Sequence, residues 1–267
     1  MIGFLTRKTF YDLWDNLFKV VLLNLGFIVC AVIAFSILVL ASQITNSILL
    51  IHLLELFGLV GTMIYLAAVS CSLTIISDYG TFRFGDLLSG FKRAWPAGII
   101  MGIYAFIVIR IMPFVIQFYL TMEPFMLGLA LSAVIIWITI FSLLAFQYFF
   151  TVYFRISDAP TPGKKIKKAF RKCFLIALDN TGFSIFLFIN NIILLFISFF
   201  IVLMFPGFVG VFSYIDQALR LRLLKYDYLE ANPEANRRQI PWDALLIEER
   251  EKTGTRSFRN FIFPWKD

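Results

Sequence analysis

The chain has 267 residues, of which 60% are apolar and only 15% charged, with a net charge of +7 and a mean hydropathy of +0.84. Soluble domains use roughly 45–50% apolar residues, so this composition excludes an ordinary water-soluble globule and places the chain in a bilayer. The positive charge belongs to short loops, because each bilayer crossing needs about 20 residues free of charge.

Val20 to Leu40 carries no charge and one strongly polar residue, Asn24, and is the first expected span. It is longer than the apolar core of a signal peptide, which argues against cleavage after Val39-Leu40-Ala41. Ile48 to Ile76 is the second span, long enough to require tilt. Gly58 and Gly61 can bend it or admit a neighbour. Ala97 to Tyr119, interrupted by Arg110 and Pro113, is the third; Met126 to Phe150, uncharged, is the fourth; Phe183 to Phe205 is the fifth. A shorter sixth helix follows Pro206-Gly207 and acquires Asp216, Arg220 and Arg222.

Lys and Arg near span ends set orientation. Arg7, Lys8 and Lys19 precede the first span, Arg83, Lys92 and Arg93 precede the third, and Arg155 to Lys172 holds seven before the fifth, whereas the alternate connectors have none. Both termini are therefore expected in the cytoplasm, with an even number of spans. The expected fold is all-α: a polytopic bundle of about six transmembrane helices over residues 1–225, with cytoplasmic interfacial helices and a cytoplasmic amphipathic tail over 226–267.

The densest basic stretch is Lys164, Lys165, Lys167, Lys168, Arg171 and Lys172. Thr161 and Pro162 suit a helix start, and Ile166, Ala169, Phe170, Cys173 and Phe174 recur at helical spacing opposite the lysines. The expectation is a helix lying on the cytoplasmic interface against anionic headgroups, with no nucleic-acid partner. Gly90 to Trp95 and Ala169 to Phe174 share the pattern small, Phe, basic, basic, small, aromatic, which an old duplication of a hairpin would leave and which convergent membrane anchoring explains better. In the tail, Pro241 to Lys252 reads as a short amphipathic helix stopped near Gly254, and Phe258, Phe261, Phe263 and Trp265 beside Arg256, Arg259 and Lys266 suit an interface or a partner's groove.

Chemistry is sparse. His52 is the one histidine, and no phosphate loop, His-Glu-x-x-His or Gly-x-Ser-x-Gly occurs. Cys30, Cys71 and Cys173 fit no metal or redox spacing and read as buried or lipid-facing thiols. No metal, cofactor or catalytic set is expected, and an enzyme using Glu55 or Asp216 as a base is a residual reading. Polar residues at membrane depth are functional candidates: His52, Glu55 and Arg110 at similar depth near the outer side, Asn190 and Asn191 within the fifth span, and Asp216 in the sixth helix. The bland reading makes Glu55 and Arg110 a pair fastening two helices, the asparagines bonds to neighbouring helices, and Asp216 with Arg220 an i, i+4 pair closing the cytoplasmic end. The sharper reading is a polar pocket open to the outside.

Leu22 to Leu25 (LLNL), Phe82 to Trp95 (FRFGDLLSGFKRAW) and Lys167 to Leu178 (KKAFRKCFLIAL) resemble the YesL-like family of bacterial membrane proteins, a domain of unknown function, over about Phe4 to Lys225. Ile240 to Lys266 resembles the tail of a clostridial branch. The resemblance implies a six-helix inner-membrane protein, often encoded beside carbohydrate importers of the ABC type, and carries over no catalytic residue. Two functions compete: a non-catalytic accessory protein binding the permease or ATPase of a sugar importer, or a small-solute transporter or channel lined by the intramembrane polar residues.

Overall fold

The computed structural model describes residues 1–156, 161–237 and 239–254, and every element among them is a helix. In chain order these are α1 (Ile2–Asp15), α2 (Leu17–Ile44), α3 (Ile48–Ser77), α4 (Phe84–Phe106) running through a π-helical turn (Ile107–Ile111) into α5 (Met112–Leu120), α6 (Phe125–Phe146), α7 (Phe149–Arg155), α8 (Pro162–Asp179), α9 (Thr181–Phe199), α10 (Gly207–Ala231), α11 (Trp242–Leu245) and α12 (Ile247–Thr253). The protein is thus an all-α polytopic bundle. Among the described residues, five segments are long and apolar enough to cross a membrane: α2, α3, α4 through α5, α6 and α9. Phe35, Phe57, Phe114, Trp137 and Phe196 face outward on them; exposed aromatics in such number need lipid, not water, around them.

The closest helix pair is α3 with α4, and small residues make it so. Gly90, Ala94, Gly98 and Gly102 recur every fourth residue, and a Cβ on Gly102 would sit 2.6 Å from the Val60 Cα, while one on Gly98 would meet the Ile64 backbone nitrogen at 2.7 Å. The backbones touch because no side chain separates them, the logic of Gly-x-x-x-Gly contacts where lipid supplies no hydrophobic drive. α2 joins the pair through Tyr65, whose hydroxyl donates to Leu23 O at 2.7 Å.

The expected third span carries its own irregularity. Pro113 has no N–H and its ring clashes with the carbonyl four residues earlier, and the chain widens just before it: the Met112 N–H bonds to Ile107 O, five residues back. The expected fourth span, Met126 to Phe150, breaks at Gln147-Tyr148 between α6 and α7, where Gln147 Nε2 donates to Leu144 O and Ser184 O. The expected fifth span ends early, at Phe199, because the Ser198 carbonyl accepts from Leu203 N at 2.7 Å and the Ser198 hydroxyl from Gly207 N at 2.9 Å, turning the chain back.

α10 differs most from expectation. It is too polar to count among the spanning segments, yet it is the most enclosed of the long helices, packed by α1, α2, α3, α7 and α9 and burying Asp216, Gln217, Arg222 and Lys225 along with its apolar residues. Its start is pinned by Asn24 of α2, whose Nδ2 donates to Met204 O and Pro206 O and whose Oδ1 accepts from Val209 N. Gly207 holds a φ of +61° against that amide, a conformation that favours glycine. The helix then runs unbroken across the expected domain boundary at 225/226, and the amphipathic segment after Pro241 folds as α11 and α12, ending at Gly254.

α1, the turn after α3, α10 and α12 meet at one end of the bundle. Tyr79 is the hub: Lys8 Nζ lies 3.9 Å above its ring, and its hydroxyl donates to Glu249 Oε2 at 2.7 Å. The amino-terminal helix and the tail as far as Gly254 therefore share a side.

Candidate functional site

The six residues expected to line one polar pocket occupy three places. At one end of the long helices, Glu55 is nearly buried and its two oxygens each accept from Arg110 Nε at 2.7 Å, with His52 Nδ1 3.5 Å from Oε2. The π turn carries Arg110 across to Glu55. Arg110 is 51% exposed and His52 45%, so this trio is a surface fastening between α3 and the π turn.

Asp216 sits elsewhere, in a charged network at the end where α1 and α12 meet. The Arg155 guanidinium grips it twice, Nε to Oδ1 at 3.0 Å and Nη2 to Oδ2 at 2.7 Å, and the Ser77 hydroxyl donates to it as well. The expected Asp216–Arg220 pair along α10 is not formed. Arg220 turns instead to Ser77 O, to Asp78 at 3.4 Å and to Glu249 of α12 at 2.9 Å. The i, i+4 spacing permitted the pair, but each group is held by other elements, Asp216 by Arg155 of α7 and Arg220 by the end of α3 and by Glu249 of α12. Burial works against a charged Arg155, yet Asp216 and Asp78 outweigh it and hold the guanidinium above its ordinary value.

A second charged pair stands beside this network. Lys8, 1% exposed, bonds Asp12 at 3.1 Å, which also accepts from Gln217 Nε2 at 2.6 Å. Burial pushes the Asp12 carboxyl up and the Lys8 ammonium down, each against the pull of the other. In the sequence Lys8 and Arg155 stand out only as markers of topology. Their signals were the i, i+4 spacing of Lys8 and Asp12 and the presence of Asp216, a carboxylate whose burial demands a cation.

Asn191 occupies the third place, on the wall of a cavity of about 390 Å³ between α3, α4, α6, α9 and α10. The expected bonds from Asn190 and Asn191 to neighbouring helices are missing among the described residues: Asn190 Nδ2 and Asn191 Oδ1 are buried without partners. Asn24 does form such bonds.

The basic helix is α8. Thr161 caps it, accepting from Lys164 N at 3.4 Å. Its apolar side buries Ala169, Cys173 and Ile176 and packs Phe170 against Phe146 and Phe149 with ring centroids 5.0 Å apart. Lys165 leans over the Tyr153 ring at 4.6 Å, while Lys164, Lys167, Lys168, Arg171 and Lys172 are exposed. Phe258, Phe261, Phe263 and Trp265 lie outside the described residues, and no group of His, Cys, Asp and Glu among the described residues could hold a metal ion.

Fold and sites together define a multi-pass α-helical membrane protein with a basic amphipathic helix and an ionic network closing one end. Compared with family models, with curated proteins and with solved structures, the chain matches none.

Proposed function

We propose that this chain is a non-catalytic accessory protein of a bacterial cytoplasmic membrane, with both termini in the cytoplasm, that binds a membrane partner through α8 and the tail. The observation that carries the reading is the exposed row of Lys164, Lys167, Lys168, Arg171 and Lys172, on the side of α8 opposite the apolar face that packs against α6 and α7. Such a basic row attracts anionic headgroups and acidic protein surfaces alike.

The partner follows from the YesL-like resemblance: the permease or ATPase of a carbohydrate importer of the ABC type. The shared side of α1, α10 and α12 supports an even number of passes, with α10 as the returning segment. Transport by this chain alone has less support, because His52 with Glu55 and Arg110, Asn191, and Asp216 stand in three separate places.

Gentle extraction from native membranes, comparing the wild type with a variant in which those five residues are glutamine, tests this. An importer subunit is expected to co-purify with the wild type and to be lost from the variant and at high salt, where exposed charges are screened. A wild type that runs alone, in a host whose sugar uptake survives its deletion, refutes it.

A further inference from the structure

We propose that the cavity between α3, α4, α6, α9 and α10 is a binding site for a neutral lipophile carrying one hydrogen-bond donor, of the size of a single acyl chain with a hydroxyl head. Its volume of about 390 Å³ falls within the roughly 300–1,000 Å³ of small-molecule sites. The walls are almost wholly apolar, from Met63 and Met101 to Phe212 and Ile215. Apolar cavities stay dry and take apolar guests, so most of the occupant is hydrocarbon.

The polar exceptions select its head. Gln147 and Asn191 both line the cavity. Asn191 is 6% exposed, and its Oδ1 and the Gln147 Oε1 are buried acceptors with no donor among the described residues. An unmet buried acceptor is unfavourable; as the side chains stand both oxygens are closed off from the space, and a turn of the Asn191 amide brings its Oδ1 into the cavity to accept from a ligand hydroxyl. The Gln147 amide cannot turn away to find another partner, because its Nε2 is held by Leu144 O and Ser184 O. No Asp, Glu, Lys or Arg lines the space, so a charged head would enter uncompensated; the head is neutral.

Two features give entry from the bilayer. Ile109 and Ile192 line the cavity and are each 52% exposed, so the wall between the π turn and α9 is also the outer, lipid-facing surface. Val108 and Ile109 belong to that π turn, a local widening that recurs at functional sites and here replaces tight α-helical packing with a ledge. The occupant is therefore drawn laterally from the lipid, either a bilayer lipid with a free hydroxyl or a lipid-soluble alcohol.

The test uses the full chain in nanodiscs with two probes, a long-chain primary alcohol bearing a mid-chain diazirine and its methyl ether. Photolabel is expected on peptides containing Met63, Met101 and Phe188, with the alcohol favoured about five- to tenfold over the ether, the value of one neutral hydrogen bond. Asn191→Leu should abolish that preference while keeping the label, and Ala105→Phe, which fills the space, should remove label from both probes. Mass spectrometry of the gently extracted protein separates the sources: a retained hydroxyl lipid points to the bilayer, and an empty protein that takes up the alcohol points to a soluble guest. Equal labelling by alcohol and ether in the wild type overturns the proposal, as does label confined to the outer surface of α2 or a preference that survives Asn191→Leu. The wild-type ratio decides the matter alone if either variant fails to fold.

Discussion

Replacing Arg155 with methionine strips the buried Asp216 carboxylate of its cation. Asp216 keeps 2% of its side-chain exposure, too little for water to replace the two bonds from Arg155, while Asp78, half exposed, can be solvated. Breaking a buried pair from one side costs about 3–5 kcal/mol, and the nearby Arg220 puts the expectation in the lower half of that range. For a chain of this size each kcal/mol moves the midpoint by about 2–4 °C, so a drop on the order of 6–15 °C is expected. The assay is fluorescence-detected thermal unfolding in one detergent at a fixed scan rate, since heating of such proteins is commonly irreversible. Asp216→Leu added to Arg155→Met should recover most of the loss, because a coupled pair is non-additive. An unchanged midpoint in Arg155→Met, or a double variant as poor as the sum of the singles, refutes the network as drawn.

The remaining expectations address other links. Gly102→Val should separate α3 from α4, since its Cβ would meet Val60 Cα at 2.6 Å; thermal unfolding should show a loss of at least about 2 kcal/mol, the scale of core overpacking. Asn24→Leu removes three bonds that turn α9 into α10, at roughly 0.6–2 kcal/mol each, and limited proteolysis between 200 and 207 should accelerate. For Glu55 and Arg110, truncating both should be milder than truncating Arg110 alone, which strands the nearly buried Glu55 carboxylate, while truncating Glu55 alone should stay within about 1 kcal/mol because the half-exposed Arg110 is solvated. In α1, burial raises Asp12 above its ordinary 3.8; a raised acid contributes stability that is complete below that value and lost as pH climbs through the folded one. Asp12→Asn should therefore flatten the stability profile just above pH 3.8, and an unchanged slope there would contradict the raised pKa.

Apolar runs and turn residues made most of the fold legible. Thr161-Pro162 marked the start of α8, and Pro241 and Gly254 bracketed the tail helices. What sequence could not supply was long-range choice. Asp216 has Arg220 one turn away, and only the fold shows that Arg155, from α7, takes it. The ladder Gly90, Ala94, Gly98, Gly102 was readable in principle as small residues at every fourth position, but Gly58 and Gly61 drew attention to the other helix. The ends of the fourth and fifth spans moved because Gln147 and Ser198 bond backbone locally, and hydropathy is blind to that. The cavity was invisible in sequence, since it is made by residues from six helices and the π turn, whose types are those of any membrane core.

The orientation and the partner-binding role both rest on the sidedness of α8, which can be measured directly. A single cysteine at Lys168, in a chain whose Cys30, Cys71 and Cys173 have been replaced by alanine, is treated with a membrane-impermeant maleimide in intact cells and in inverted vesicles. Labelling in inverted vesicles and none in intact cells is expected; labelling in intact cells would place the basic helix outside and overturn both the orientation and the partner-binding role built upon it.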